Sequence, residues 1–558
     1  MEWTTACPDW ERRIVQRESL IACPPLFPSV AEEAWGFIGE FILTDVGGQP
    51  RLRDASLPWL RDFVMAVFGA EDPETGRRHI NEFLLMVSKK NAKSTIAAGI
   101  MLGALLMNWR QSAELLILSP TKEIADNSYK PIRDFIKADE ELSVMLKVQD
   151  YFRTITHLET GATLKVVAAD SDTVSGKKAS FVFVDELHEF GKQAKASNML
   201  LEATGGLASR PEGFVIYATT QSAEPPAGVY LSKLRYARDV RDGIIKDRKF
   251  LPVIYEFPKA MLDNKAYEDL SNAYVTNPNW GASVDIERIT QLHSQARASG
   301  ENEFKEFLAK HLNVEIGLNL RSDRWTGADF WERNGDKNVS LDRILHDCEV
   351  VTIGVDGGGL DDLLGFSVTG RVKNSGHWLQ WNKAWVHPIG LERRKEIAPR
   401  YQDFAAQGDL VIINEIPEDV EQLAVIARRI FDSGLLSQIG LDPERTHKVV
   451  LKALLDAGVP EEMIIGISQG WKLTGAIGVA ERALAAGDMT HAAQPLMAWC
   501  VSNAKVVPAG NAVNITKQAS GTGKIDPLMA MLNSVSLMAL NPVAKGPSVY
   551  ETRGMRFL

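Results

Sequence analysis

The sequence predicts an α/β protein in two parts, a parallel-rich sheet with crossover helices followed by a mixed α/β sheet. Three observations predict it. Between about residues 80 and 222, apolar strand-like runs alternate with helical stretches, the pattern of a parallel sheet whose connections cross its faces. A second strand series opens only at Val350, and its first three runs follow one another across short polar turns, as antiparallel hairpins do. A chain of 558 residues also exceeds what one ordinary core holds, so two domains are expected.

Taken in order, residues 1 to about 60 read as short helices broken by prolines, notably in CPPLFPS from Cys23 to Ser29. EFLLMV is a strand followed by a helix from about Ser94, and AELLILSP a strand followed by a helix from about Lys122. TLKVVAA, SFVFVDE and GFVIYATT complete the first strand series. The segment from about 223 to 340 is helix-rich, with a turn at NPNWG from Asn277 to Gly281. The second series runs VVTIGVDGGG (Val350 to Gly359), LLGFSVTGRV, HWLQWNKAWV and SQIGLDP, and the last residues, NPVAKGPSVYETRGMRFL, read as a loose tail. There is no internal repeat and no low-complexity block.

Composition narrows the class. With 45% hydrophobic, 24% charged and 8% aromatic residues, the chain is that of a soluble globular protein, and no apolar run is long enough to cross a membrane. The start, MEWTTACPDWERR, is polar before it is apolar and is not a secretory signal. Cys7, Cys23, Cys348 and Cys500 are scattered without a CxxC pair, which argues against a disulfide framework and a zinc site and for a reduced, cytoplasmic setting. The net charge of -10 speaks against a protein that coats nucleic acid but leaves room for a local basic channel. KLRYARDVRDGIIKDRK, from Lys233 to Lys249, is such a local excess and reads equally as a solvated helix face or a DNA-facing one.

The first candidate site lies at a strand-to-helix junction, Val87-Ser88-Lys89-Lys90-Asn91-Ala92-Lys93-Ser94-Thr95. In a phosphate loop, backbone N–H groups wrap the phosphates of a nucleotide such as ATP, a lysine reaches the outer phosphates and a hydroxyl binds Mg²⁺. Lys93 and Ser94 supply these last two, although Val87 and Ala92 stand where the GxxxxGK[ST] pattern has glycines. The apolar strand ending in Asp185 and Glu186 sharpens the reading, because adjacent carboxylates at a buried strand end repel unless solvated or metal-bound. Asp185 suits Mg²⁺ and Glu186 suits the polarising of an attacking water. Thr219 and Thr220 close a third strand at the same sheet edge, where they could sense the γ-phosphate. His188 reads as a structural neighbour rather than a catalyst.

The second candidate site is a set of aspartates. Hydrolysis of a phosphodiester by two metals, Mg²⁺ or Mn²⁺, needs carboxylates converging from separate elements to hold ions about 3.5–4 Å apart. Asp356 lies within a strand, Asp442 closes another, and Asp526 begins a helix with Lys524 beside it. Alone, Asp526 reads as an ordinary helix N-cap and Asp442-Pro443 as a turn. Asp361 and Asp362, in the turn after the first strand, are extra acids that could help hold a metal but read rather as solvating the hairpin.

The order VSKKNAKST, SGKKASFVFVDELHEF, SRPEGFVIYATTQS and NPNWG resembles the large subunit of the terminase of tailed double-stranded DNA bacteriophages, and G-x-D, the later strand-closing Asp and K-I-D resemble its nuclease. Gln469-Gly470, Gly487, His491, Asn503 and Lys517 fit the same pattern, so the resemblance covers about residues 55 to 540. It implies an N-terminal P-loop ATPase and a C-terminal ribonuclease H-like nuclease with Asp356, Asp442 and Asp526 as its acids. The expected limits are a helical extension at 1–55, the ATPase core at 56–225, a helical subdomain or linker at 226–340, the nuclease at 341–540 and a flexible tail at 541–558. Lys89 stands where the family often has arginine, Ala92 where it has glycine, and Leu60 where it commonly has a glutamine that reads adenine.

The resemblance further implies ATP-driven movement of double-stranded viral DNA into a procapsid and metal-dependent cutting of the concatemeric genome. Its expected partners are the portal protein, a small terminase subunit and further copies of the chain in a ring docked on the portal. The expected setting is the host cytoplasm, transiently at the portal and not in the mature virion. Arg210 is a candidate for a basic contact to the γ-phosphate, in cis or from a neighbouring subunit. The competing reading is a helicase-like ATPase whose second domain is a non-cleaving DNA clamp.

Overall fold

A computed structural model describes residues 2–168, 179–193, 196–315, 325–395, 397–443, 447–509, 512–517 and 523–544. The expected flexible tail lies outside the described residues from 545 onward, as does the SGKK segment at 175–178. The chain forms two compact units, Met1–Ile316 and Gly317–Leu558.

The first unit is built on an eight-stranded sheet: β1 (Glu82–Met86), β2 (Glu114–Ser119), β3 (Leu146–Gln149), β4 (Thr154–His157), β5 (Thr163–Ala168), β6 (Phe181–Val184), β7 (Phe214–Thr219) and β8 (Phe250–Ile254). Their spatial order is β3-β4-β5-β2-β6-β7-β1-β8, parallel from β5 to β8 and antiparallel across β3, β4 and β5. The inner strands β6 and β7 are buried at every residue, which is why they read as unbroken apolar runs rather than alternating ones. The helix Lys93–Met107 is also buried for most of its length, consistent with its apolar sequence all round. By contrast, Lys122–Lys137 is amphipathic and begins at Thr121, whose hydroxyl accepts from the Ile124 N–H.

Strand β8 falls inside the stretch expected to be helical linker. Pro252 hides it, because proline within an apolar run argues against a strand. The residue is tolerated because, among the described residues, β8 is the sheet's edge and pairs with β1 alone, Pro252 lying opposite Leu84. The basic stretch divides between internal ion pairs and exposed charge. On the helix Gly228–Arg241, Lys233 pairs with Glu82 at 2.8 Å, while Arg238 and Arg241 both grip buried Glu256, at 2.5 and 2.6 Å. Arg235, Lys246, Arg248 and Lys249 remain exposed.

The second unit carries a seven-stranded sheet: β9 (Cys348–Gly357), β10 (Leu364–Val372), β11 (Trp378–Val386), β12 (Leu410–Ile412), β13 (Leu436–Leu441), β14 (Ile464–Gly466) and β15 (Met489–His491). β9, β10 and β11 run antiparallel as expected, and β13 joins β9 in parallel. A separate hairpin pairs β16 (Ala504–Ala509) with β17 (Ala512–Lys517). The strand period of two divides β9 between two cores. Val351, Ile353 and Val355 pack with the helix Glu418–Asp432, whereas Thr352, Gly354 and Asp356 face the helix Asp526–Met538.

Candidate active sites

The first site gathers at the carboxyl edge of the parallel strands. Lys89, Lys90, Ala92, Lys93, Ser94 and Thr95 line a cleft of about 900 Å³ that also takes in Asp185, Glu186, His188, Leu57 and Leu60. The loop owes its shape to two non-glycine residues in the left-handed region, Lys90 at φ 73° and Ala92 at φ 60°. Ala92 therefore occupies the backbone conformation a glycine adopts freely, at a cost of roughly 1–2 kcal/mol for an L-residue. Glu186, also left-handed at φ 51°, ends the β6 segment and opens a short helix.

The carboxylates are held by identifiable partners. Ser128 donates to Asp185 Oδ2 at 3.0 Å, while Asp185 Oδ1 is buried with no hydrogen-bond partner among the described residues. Burial, and then the neighbouring Glu186 charge, raise Asp185 to a pKa of about 6 against the pull of Lys93. Lys93 Nζ lies 3.9 Å from Glu186 Oε1. This is the donor set that a nucleotide-bound cation fits: a buried carboxylate with an open oxygen, facing a lysine and a serine across one cleft. The His188 ring lies 3.1 Å from Glu189 Oε1 and 3.4 Å from Glu186 Oε2, an oxygen with no hydrogen-bond partner among the described residues.

Three expected members of the site face elsewhere. Asn91 is fully buried and turned into the protein. The Thr219 hydroxyl accepts from the His188 N–H at 3.1 Å and donates to the Thr220 carbonyl at 2.9 Å. The Thr220 hydroxyl likewise donates to the Gln221 carbonyl, at 3.2 Å. Both threonines are buried and neither lines the cleft. Arg210 lies just before β7 begins, at the opposite strand end from the loop, so it is not placed to reach the cleft of its own chain. Ser128 was illegible in the sequence, because nothing about a mid-helix serine announces the acid it meets.

The second site forms where β9, β13 and the helix Asp526–Met538 meet. Leu441 pairs with Val355, so Asp442 comes one step later, level with Asp356 on the adjacent parallel strand and on the same face. Asp526 reaches that face because glycines let the helix down onto the sheet. A Cβ on Gly354 would stand 2.0 Å from the Ala530 carbonyl oxygen, and one on Gly357 would stand 3.1 Å from Asp526 Cβ. Gly365, paired with Asp356, would place a Cβ 2.8 Å from the Asp526 backbone. Ser534 ties down the same helix, with Thr352 donating to its carbonyl at 2.9 Å and Thr369 lying 2.7 Å from its hydroxyl.

Asp526 is not the N-cap that its sequence position allows. Ile525 takes the cap position and no side chain caps the helix, leaving Asp526 as the first helical residue. Asp361 and Asp362 do not simply solvate the hairpin either. Arg394 donates to both Asp361 oxygens, at 2.9 and 3.0 Å, and nearly buried Lys524 pairs with Asp362 while donating to the Asp361 carbonyl at 2.8 Å. Asn503 donates to the Lys524 carbonyl at 3.2 Å and Gln469 to Asn533 at 3.0 Å, so both order the elements around the acids. His491 stacks on Trp331 with ring centroids 3.9 Å apart, and burial lowers it to about 4, keeping it neutral and structural. Among the described residues no group of three or more His, Cys, Asp or Glu is gathered in a metal-holding cluster. What fits a cation is the common face of Asp356 and Asp442 and the seating of Asp526 against it.

Comparison with known proteins finds two successive family models, the second beginning inside the first compact unit, before β8. The family model "Terminase large subunit, ATPase domain" matches residues 58–230, and "Terminase large subunit, endonuclease domain" matches residues 246–541. The large terminase subunit of Enterobacteria phage HK97 is 22% identical over 512 residues, covering 90% of this chain and 94% of that protein. That of Lactococcus phage p2 is 19% identical over 476 residues, covering 83% of each. A crystal structure of the HK97 large terminase matches at 19% identity and a TM-score of 0.47, covering 91% of this chain and 99% of that one. The endonuclease match replaces the clamp reading of the second unit. The chain belongs to the terminase large subunit family, an ATPase and endonuclease whose role in packaging and cutting viral DNA follows from that family.

Proposed function

We propose that the two activities are carried by two separate acidic centres, Lys93, Ser94, Asp185 and Glu186 for ATP and Asp356, Asp442 and Asp526 for DNA. The observation that carries this reading is their placement, each at one sheet's edge within its own compact unit. In the first centre the loop from Lys89 to Thr95 cradles the phosphates, Lys93 leaves Glu186 for the outer phosphates, and Ser94 and Asp185 hold Mg²⁺. Glu186, freed of Lys93, is then the base that polarises the attacking water. In the second centre the three aspartates hold Mg²⁺ or Mn²⁺, which supplies an activated water and stabilises the leaving oxygen. Lys524, locked on the Asp361–Asp362 turn, fixes the backbone two residues before Asp526.

The ATPase core then runs from about 56 through β8 rather than ending at 225, because β8 completes its sheet. The helical segment after it leads to the nuclease at 341–540. Double-stranded DNA, the portal protein and a small terminase subunit are the partners, in a homo-oligomeric ring on the procapsid portal in the host cytoplasm. Family membership supports these partners, and no helix among the described residues is long and apolar enough to cross a membrane. Arg210 remains a candidate only for a contact made to a neighbouring subunit's nucleotide.

The test is a crossed pair of variants. Lys93→Ala abolishes ATP turnover and spares DNA cutting, and Asp356→Ala does the reverse. Loss of both activities in either variant, with the fold intact by circular dichroism, contradicts the assignment.

A further inference from the structure

We infer that a clamp of Asn277, Asn279 and Ser283 on Asn91 and Lys90 does the work of the loop's missing glycine, and that Asn91, Asn279 and Ser283 are positioning residues for ATP binding. The inference rests on the reading of Lys89–Thr95 as the phosphate loop. Two adjacent-but-one residues of that loop, Lys90 and Ala92, are left-handed without being glycine. Such a conformation persists only where surrounding contacts over-determine it. Those contacts converge on Asn91, the residue between them.

Asn91 Nδ2 donates to the Ser88 carbonyl at 3.0 Å and to Asn277 Oδ1 at 2.8 Å, and its Oδ1 accepts from the Asn279 N–H at 3.0 Å. Asn277 is anchored in turn by donating to the carbonyls of Ala273 at 2.9 Å and His311 at 2.8 Å. Asn279 accepts from Trp59 Nε1 at 2.7 Å and donates to Ser283 at 3.0 Å, and the Ser283 hydroxyl donates to the Lys90 carbonyl at 2.8 Å. The main chain adds two more ties, Ser88 N–H to the Thr276 carbonyl at 3.3 Å and Lys89 N–H to the Lys310 carbonyl at 2.8 Å. Thr276, Asn277, Asn279, Ser283 and Lys310 lie outside the loop, while the Ser88 carbonyl, and the Lys89 carbonyl at 3.5 Å, lie within it. The NPNWG turn is therefore a brace for a phosphate loop that cannot hold its own shape, and the N–H groups that would face phosphates are pre-aimed by it.

A loop without the brace must be ordered by the nucleotide itself, which weakens binding but leaves the bound state, and so the chemical step, unchanged. We expect Asn91→Ala to raise the KM for ATP and the Kd for ADP roughly tenfold with kcat within about twofold. Ser283→Ala, at an exposed turn that cannot unfold the chain, raises both about threefold. The distinctive result is suppression, in which adding Ala92→Gly to Asn91→Ala restores most of the lost affinity because glycine adopts the left-handed backbone unaided. An unchanged KM in both single variants, a loss confined to kcat, or a failure of Ala92→Gly to restore affinity overturns the inference. Lys93→Ala is measured in parallel with ADP as probe. If it binds ADP as the unaltered chain does, the phosphate-loop reading itself fails; if it does not bind while Asn91→Ala binds normally, only the clamp fails.

Discussion

Gly365→Ala is the perturbation that tests most sharply how the nuclease centre is built. The added Cβ would stand 2.8 Å from the carbonyl carbon and oxygen of Asp526 and from Pro527 Cα, all backbone atoms that no rotamer change can move aside. Relaxed contact needs about 3.5 Å, so the start of the helix Asp526–Met538 must retreat by roughly 0.7 Å. That displacement acts directly on the Asp526 carboxylate, and misplacing a reacting group by about 1 Å costs on the order of a hundredfold in rate. The expected outcome is a 10- to 100-fold loss of DNA cleavage, roughly, with a stability cost of about 1–3 kcal/mol for overpacking. ATP turnover serves as the internal control, since its residues lie in the other unit. Gly475→Ala, in open space within the same unit as Gly365, leaves cleavage unchanged. Cleavage by a folded Gly365→Ala protein within about twofold of the unaltered chain would refute the reasoning that the glycine seats Asp526.

Three further outcomes follow from the same geometry. Asp185 is raised to about 6, above its unfolded carboxylate value, so the folded chain holds its proton until pH passes 6. As pH rises from about 4 to 6 the unfolded chain gives up this proton while the folded chain keeps it, so stability falls across that window and levels off above it, and cation-dependent ADP binding strengthens as pH rises through about 6; calorimetric titration from pH 5 to 8 checks the binding, and Asp185→Asn removes the dependence. Glu256→Ala takes the shared carboxylate from buried Arg241 and half-buried Arg238, which keep Asp242 and Glu315 as partners, and is expected to lower stability by about 1–3 kcal/mol, read by denaturant unfolding. Tyr401→Phe removes a buried hydroxyl that has no hydrogen-bond partner among the described residues, so thermal unfolding should show no loss and up to about 1 kcal/mol of gain.

How much of this was legible in the sequence depended on whether the signal was local. The parallel strands β1, β2, β6 and β7 and their helices could be read because full burial writes itself as continuous apolar runs bounded by turn residues. Lys93, Ser94, Asp185 and Glu186 were equally local, each at the end of such a run. What escaped was set by partners distant in the chain. Pro252 disguised β8, whose edge position only the assembled sheet reveals. The pairing of Asp361 with Arg394 and of Asp362 with Lys524 needed the fold, as did the division of Lys233–Lys249 between internal ion pairs and exposed charge. Asn277 and Asn279 stood in a recognisable turn, but the turn's grip on Asn91 spans nearly two hundred residues.

The measurement that bears most directly on the two-centre account is cleavage of linear and supercoiled duplex DNA by the full chain with Mg²⁺ or Mn²⁺, beside Asp356→Ala, Asp442→Ala and Asp526→Ala. The account predicts metal-dependent cutting that each substitution removes while ATP turnover continues. Cutting that survives all three substitutions, or that disappears only together with ATP turnover, would contradict it.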